Sequence, residues 1–159
     1  MGTSWGAVID YLVTGLPALL TAAQGDAELS DNIPLVAGVT GVVIGRAGTE
    51  SGDAGAGTNE YTAIGRGRIQ ETFTVPGYIQ CWRPGPTQKP ARDAAISLLD
   101  VIAKFIAADP TLEKILTQGR IALTGQMSFH QTEDADDLAG EALYAGIDFE
   151  LQVQNTYTP

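Results

Sequence analysis

The side chains able to do chemistry are few, and their spacing serves none of the common chemistries. Asp134, Asp136 and Asp137 cluster like the start of a calcium loop, where close carboxylates share one hard cation. Such a loop also needs a central glycine and a bidentate Glu at a fixed distance; Glu141 is near but wrongly spaced. A solvated hairpin tip is the simpler reading. Asp148 and Glu150 stand two apart and so share one face of a strand, as a general acid and base would. An exposed sheet face explains them equally well. His130 has no second His or Cys beside it, and Cys81 is the single cysteine, so neither a multi-ligand zinc site nor an internal disulfide has its partners. Gly65-Arg66-Gly67 lacks the third glycine and the helix that a dinucleotide loop requires, and no GxxxxGK[ST] occurs. No nucleophile, base and orienter stand together. The expectation is a chain that is no enzyme and uses no cofactor or metal.

Composition agrees. The chain has 159 residues, 44% of them apolar, enough for one domain (1–159) with a sizeable core. The net charge is −10 and unevenly placed: residues 1–45 hold four acids and no base, and residues 121–159 hold seven acids and no base. Such a chain repels phosphate backbones and does not suit gripping nucleic acid. No apolar run is read as reaching the roughly 18 residues of a membrane span, and the N-terminus carries no recognisable secretory leader.

The elements follow from periodicity. Residues 4–23 put Trp5, Val8, Ile9, Leu12, Val13, Leu16, Leu19 and Leu20 on one helical stripe, with Ser4 as cap and a kink expected at Pro17. A polar link, 26–34, leads to a Val-rich strand over 35–45. The Gly-rich stretch 46–67 reads as a long loop, with a short strand possible near 59–64. Residues 68–82 alternate, Phe73, Val75, Ile79 and Cys81 against Thr72, Thr74, Tyr78, Gln80 and Trp82, with a bulge or edge position expected at Pro76-Gly77. Tyr78 and Trp82 on the outward parity suggest either packing under a helix or an aromatic contact surface. Residues 90–108 give a second helix on Ala91, Ala94, Ala95, Leu98, Leu99, Ile102, Phe105 and Ile106. Asp109-Pro110 stops it and can start a short helix through Leu116. Strands over 120–130 and 143–153 follow, joined by the acidic loop 132–140. The predicted fold class is α+β: an antiparallel sheet packed by a long central helix and an N-terminal helix.

In this order and spacing the chain resembles the tail terminator proteins of long-tailed bacteriophages, particularly the actinobacterial-phage type. The likeness lies in Glu71-Thr-Phe-Thr-Val-Pro-Gly-Tyr-Ile-Gln-Cys-Trp82, in Ala91-Arg-Asp-Ala-Ala-Ile-Ser-Leu-Leu-Asp-Val-Ile102, and in Ala108-Asp-Pro-Thr-Leu112. Gly140-Glu-Ala-Leu-Tyr-Ala-Gly-Ile-Asp-Phe-Glu-Leu-Gln-Val153 and Trp5-Gly-Ala-Val-Ile-Asp-Tyr-Leu12 complete it. The 46–60 insert is longer than the family pattern.

The resemblance implies a tail-terminator-like structural virion protein, assembled in the host cytoplasm. It would form a homo-oligomeric ring, hexameric in the family, at the head-proximal end of the tail tube. The ring would stop polymerisation of the tail tube protein and dock to head–tail connector or neck proteins. DNA would pass through its lumen without specific binding, and no membrane is involved. Alternatives are another head–tail joining (neck) ring protein, a tail-tube-like protein, or a small binding domain of a contractile or secretion-like apparatus. The expected subunit interface combines strand edges with the long loop: Arg46, Glu50, Asp53, Glu60, Arg66, Arg68, Tyr78, Trp82 and Arg83. Asp134, Asp136, Asp137, Asp148 and Glu150 are expected on an acidic lumen or surface, where like charge lets DNA slide.

Overall fold

The computed structural model describes residues 4–46, 60–65, 67–124, 128–131 and 142–158. Its spine is one strand pair. β4 (Ile69–Pro84) and β7 (Ala142–Tyr157) run antiparallel in unbroken register, from Ile69 opposite Tyr157 to Pro84 opposite Ala142. Shorter strands flank it on both sides. β2 (Gly41–Ile44) pairs β4 over 77–80 and β3 (Glu60–Ala63) pairs it over 69–72. β5 (Arg120–Leu123) and β6 (Ser128–Gln131) pair β7 on its far side. β1 (Glu28–Asp31) completes the seven-stranded sheet beyond β2.

The fold class is α+β, but the sheet is mixed rather than antiparallel, because β1 and β2 run parallel. β1 arises within the stretch read as a polar link. Residues 32–40 supply the return crossover a parallel pair requires, so only 41–44 of the expected 35–45 strand is extended in the sheet.

Three helices cover one sheet face. α1 (Trp5–Gly15) and α2 (Pro17–Ala23) meet at the expected kink, with Pro17 at the first position of α2, where its missing N–H costs nothing. α3 (Lys89–Ala108) lies across the spine. Leu12, Leu16, Leu20, Leu98 and Ile102 are fully buried against Phe73, Val75, Ile79, Cys81, Ile147 and Leu151. Burying each large aliphatic chain contributes roughly 1.5–3 kcal/mol. Leu99 and Phe105 are only half-buried at the margin of this core. Trp5–Ala23 taken together is 19 residues at mean hydropathy 1.5, long and apolar enough to cross a membrane, which corrects the sequence reading; here its apolar stripe packs on the sheet.

Three further expectations are corrected. Ser4 does not cap α1 with its own hydroxyl; its N–H and hydroxyl both donate to the Glu71 carboxylate, at 3.1 and 2.7 Å. No bulge forms at Pro76-Gly77 in the β4–β7 ladder. The Gly45 N–H donates to the Pro76 carbonyl at 2.8 Å, so the bond that a proline cannot give back points to the end of β2, where pairing stops. Gly77 admits the Phe149 ring: a Cβ there would stand 2.5 Å from it.

The third correction is the segment after Asp109. Leu112, Glu113 and Lys114 all have φ between 53° and 69°, so the chain turns left-handed instead of starting a helix. Asp109 supports the reversal by accepting from the Thr111 N–H, the Thr111 hydroxyl and the Glu113 N–H at 3.0, 2.7 and 2.6 Å. Leu112 and Leu116 anchor it in the core. The Pro110 carbonyl then accepts from the Ile121 N–H at 3.0 Å, covering part of the outer edge of β5. Gly119 follows because the Gln154 carbonyl oxygen lies 1.9 Å from where a Cβ would stand.

Candidate assembly surfaces

The face of the spine away from the helices divides in two. Toward Ile69, its side chains are Thr72, Thr74, Glu150, Gln152 and Gln154, open or half-open to solvent. Toward Pro84 they are Tyr78, Gln80, Trp82, Tyr144 and Asp148. Tyr78 is opposite Asp148, and Trp82 is opposite Tyr144 with ring centroids 5.0 Å apart. The crossover loop covers this half: the Gln80 side-chain amide donates to the Val36 and Val39 carbonyls at 3.0 and 2.7 Å. Val36 and Ile33 on the same loop are 71% and 68% exposed.

Tyr78 and Trp82 are therefore neither under a helix nor an open aromatic surface. Tyr78 is buried under a loop and Trp82 is half-buried. Among the described residues, the Trp82 indole N–H is buried without a hydrogen-bond partner, and the Tyr78 hydroxyl is buried with no well-aligned one, the Leu35 backbone lying beside it. Burial pushes the Tyr78 hydroxyl pKa up; the nearby Leu35 backbone and the Arg46 charge pull against that. Burial, with the Asp148 charge second, pushes Tyr144 up to about 12. The same desolvation holds the Cys81 thiol, fully buried on the helix face, at about 12.

Arg83 is bound within the fold. Its guanidinium meets both Asp26 carboxylate oxygens at 2.9 Å, Gln24 Oε1 at 2.7 Å, Thr40 Oγ1 at 2.9 Å and the Trp82 carbonyl at 2.8 Å. It ties the end of α2 to the strands. Arg46 is half-buried just past β2. Glu60 and Arg68 are exposed on the β3–β4 hairpin, which the Ile64 N–H closes by donating to the Arg68 carbonyl. Asp148 is half-buried and Glu150 exposed, on one face as expected. Glu50, Asp53, Arg66, Asp134, Asp136 and Asp137 lie outside the described residues, as does most of the 46–67 loop.

Glu71 is the polar residue that sequence reasoning missed. It is fully buried, with the start of α1 on its carboxylate. The signal was present: an acid standing on the apolar parity of an alternating strand.

The chain matches no protein-family model and no curated protein.

Proposed function

We propose that this chain is a structural subunit of a phage tail, forming a ring that caps the head-proximal end of the tail tube. The ring halts growth of the tube protein and presents the docking face for the neck. The observation that carries the reading is the uneven cover of the sheet. The described helices take one face, while half of the other keeps an open row of polar side chains and β3 stands exposed at the margin. Subunits that must pack laterally need such margins. The segments that carry the resemblance fall on regular elements: Trp5–Leu12 on α1, Glu71–Trp82 on β4, Ala91–Ile102 on α3 and Leu143–Val153 on β7. Glu150, exposed on the open half of that face, then lines a lumen that repels phosphate, and the chain performs no catalysis.

Negative-stain imaging of particles made without this protein tests the reading. Overlong tubes of variable length beside tailless filled heads are expected. Normal tails left unattached would transfer the protein to neck joining, and intact virions would reject both.

A further inference from the structure

We propose that a second copy of this chain seats Arg68, carried on the β3–β4 hairpin, in the notch between α1 and the ends of β1 and β2, against Asp10, Asp31 and the Trp5 ring. The inference rests on the self-assembly within the ring reading. The notch has a volume of about 370 Å³ and is lined by Trp5, Ile9, Asp10 and Asp31, among others. Asp10 and Asp31 are exposed, and among the described residues neither has a cation within salt-bridge distance. An indole beside two carboxylates suits a guanidinium, which stacks on the one and donates to the others.

The hairpin supplies one. All four residues of β3 are exposed, an arrangement that contributes little to the stability of a single copy. Ile64 at its turn is 42% exposed, and Arg68 is exposed with no ion-pair partner among the described residues. A basic arm with an apolar neighbour and an acidic, aromatic notch are complementary within one sequence. Both lie on the β2/β3 side of β4, so every copy can offer one and accept the other.

The test is sedimentation velocity on the full chain, from micromolar to near-millimolar concentration and at two salt concentrations. The wild type is expected to associate, more weakly at high salt. Arg68→Asp and Asp31→Arg each weaken association about tenfold or more, and Arg68→Lys weakens it less. A one-to-one mixture of the two reversed variants restores association, because each arm then meets a notch of opposite charge. Both positions are exposed, and circular dichroism confirms that the variants fold. Association unmoved by either reversal, or a mixture that stays apart, overturns the contact and leaves the ring reading standing. A restored dimer and nothing larger supports the contact and removes the ring. A wild type monomeric throughout overturns the contact and leaves the ring reading to the imaging of particles made without this protein.

Discussion

The two faces of the β4–β7 pair arise from the same alternation, yet they are buried in different ways. On the helix face, Phe73, Val75, Ile79 and Cys81 meet helices that bring their own apolar stripes, and burial is apolar on both sides. On the other face, Tyr78 and Gln80 are just as inaccessible, but a loop covers them, and a loop brings backbone carbonyls. The glutamine fits that cover because it can donate to carbonyls. The tyrosine hydroxyl can donate as well, but among the described residues no carbonyl is aligned to take its proton. The nature of the cover, as much as its presence, decides which side chains a strand can bury.

This contrast can be broken at graded cost. Leu98→Ala removes a fully buried chain between α3 and the sheet and should cost about 2–5 kcal/mol in chemical denaturation. Arg83→Ala removes the clamp joining α2, Thr40 and β4, and should cost about 1–3 kcal/mol in the same measurement. Leu99→Ala, one residue from Leu98 but half-buried, should cost no more than about 2 kcal/mol. A cost equal to that of Leu98→Ala would mean that α3 is rotated on the sheet. Tyr78→Phe deletes a buried hydroxyl that has no well-aligned partner among the described residues and should be neutral or stabilising by up to about 1 kcal/mol. A clear loss on thermal unfolding would show that the hydroxyl has a partner after all.

Titration separates the faces again. Cys81 on one face and Tyr144 on the other have raised pKa values, so the unfolded chain gives up these protons first as pH climbs. Stability is expected to fall from near pH 9, where an unfolded thiol ionises, toward pH 12, with the tyrosine joining from about pH 10. Cys81→Ala should delay the onset by removing the first of the two. At the acid end Asp109 works in the opposite sense. The Thr111 hydroxyl and the Glu113 N–H hold its carboxyl below the usual range. Its contribution is present above the ordinary carboxylate pKa and is lost as pH falls through the lowered value. Asp109→Asn should flatten the acid limb of a melting-temperature profile.

The long elements were legible because their periods are long. Eight apolar positions over 90–108 and six alternating ones over 143–153 leave one reading each, and α3 and β7 follow them. The kink at Pro17 and the short strand near 59–64 were legible from local chemistry alone. The failures share a different cause. β1 has four residues and no pattern of its own; it exists because β2 lies beside it. The left-handed turn at 112–114 is written in tertiary terms, by two buried leucines and an aspartate that takes the freed N–H groups. Sequence reasoning places Glu60 and Arg68 at a subunit interface, and both are exposed in the single chain. It did not foresee that Arg83 would be spent inside, because its partners Gln24, Asp26 and Thr40 are remote in sequence.

The lone thiol of Cys81 has a practical consequence. It sits at zero exposure on the helix face of the longest strand pair, three residues from the end of β4, and its proton is held far above neutrality. A thiol reagent can reach it only when that end of β4 parts from its helix cover, so the labelling rate at neutral pH counts openings of the helix–sheet core there. The chain thus carries a built-in clock for the opening of its core, readable by mass in an unmodified sample and comparable between the free subunit and any assembly that it enters.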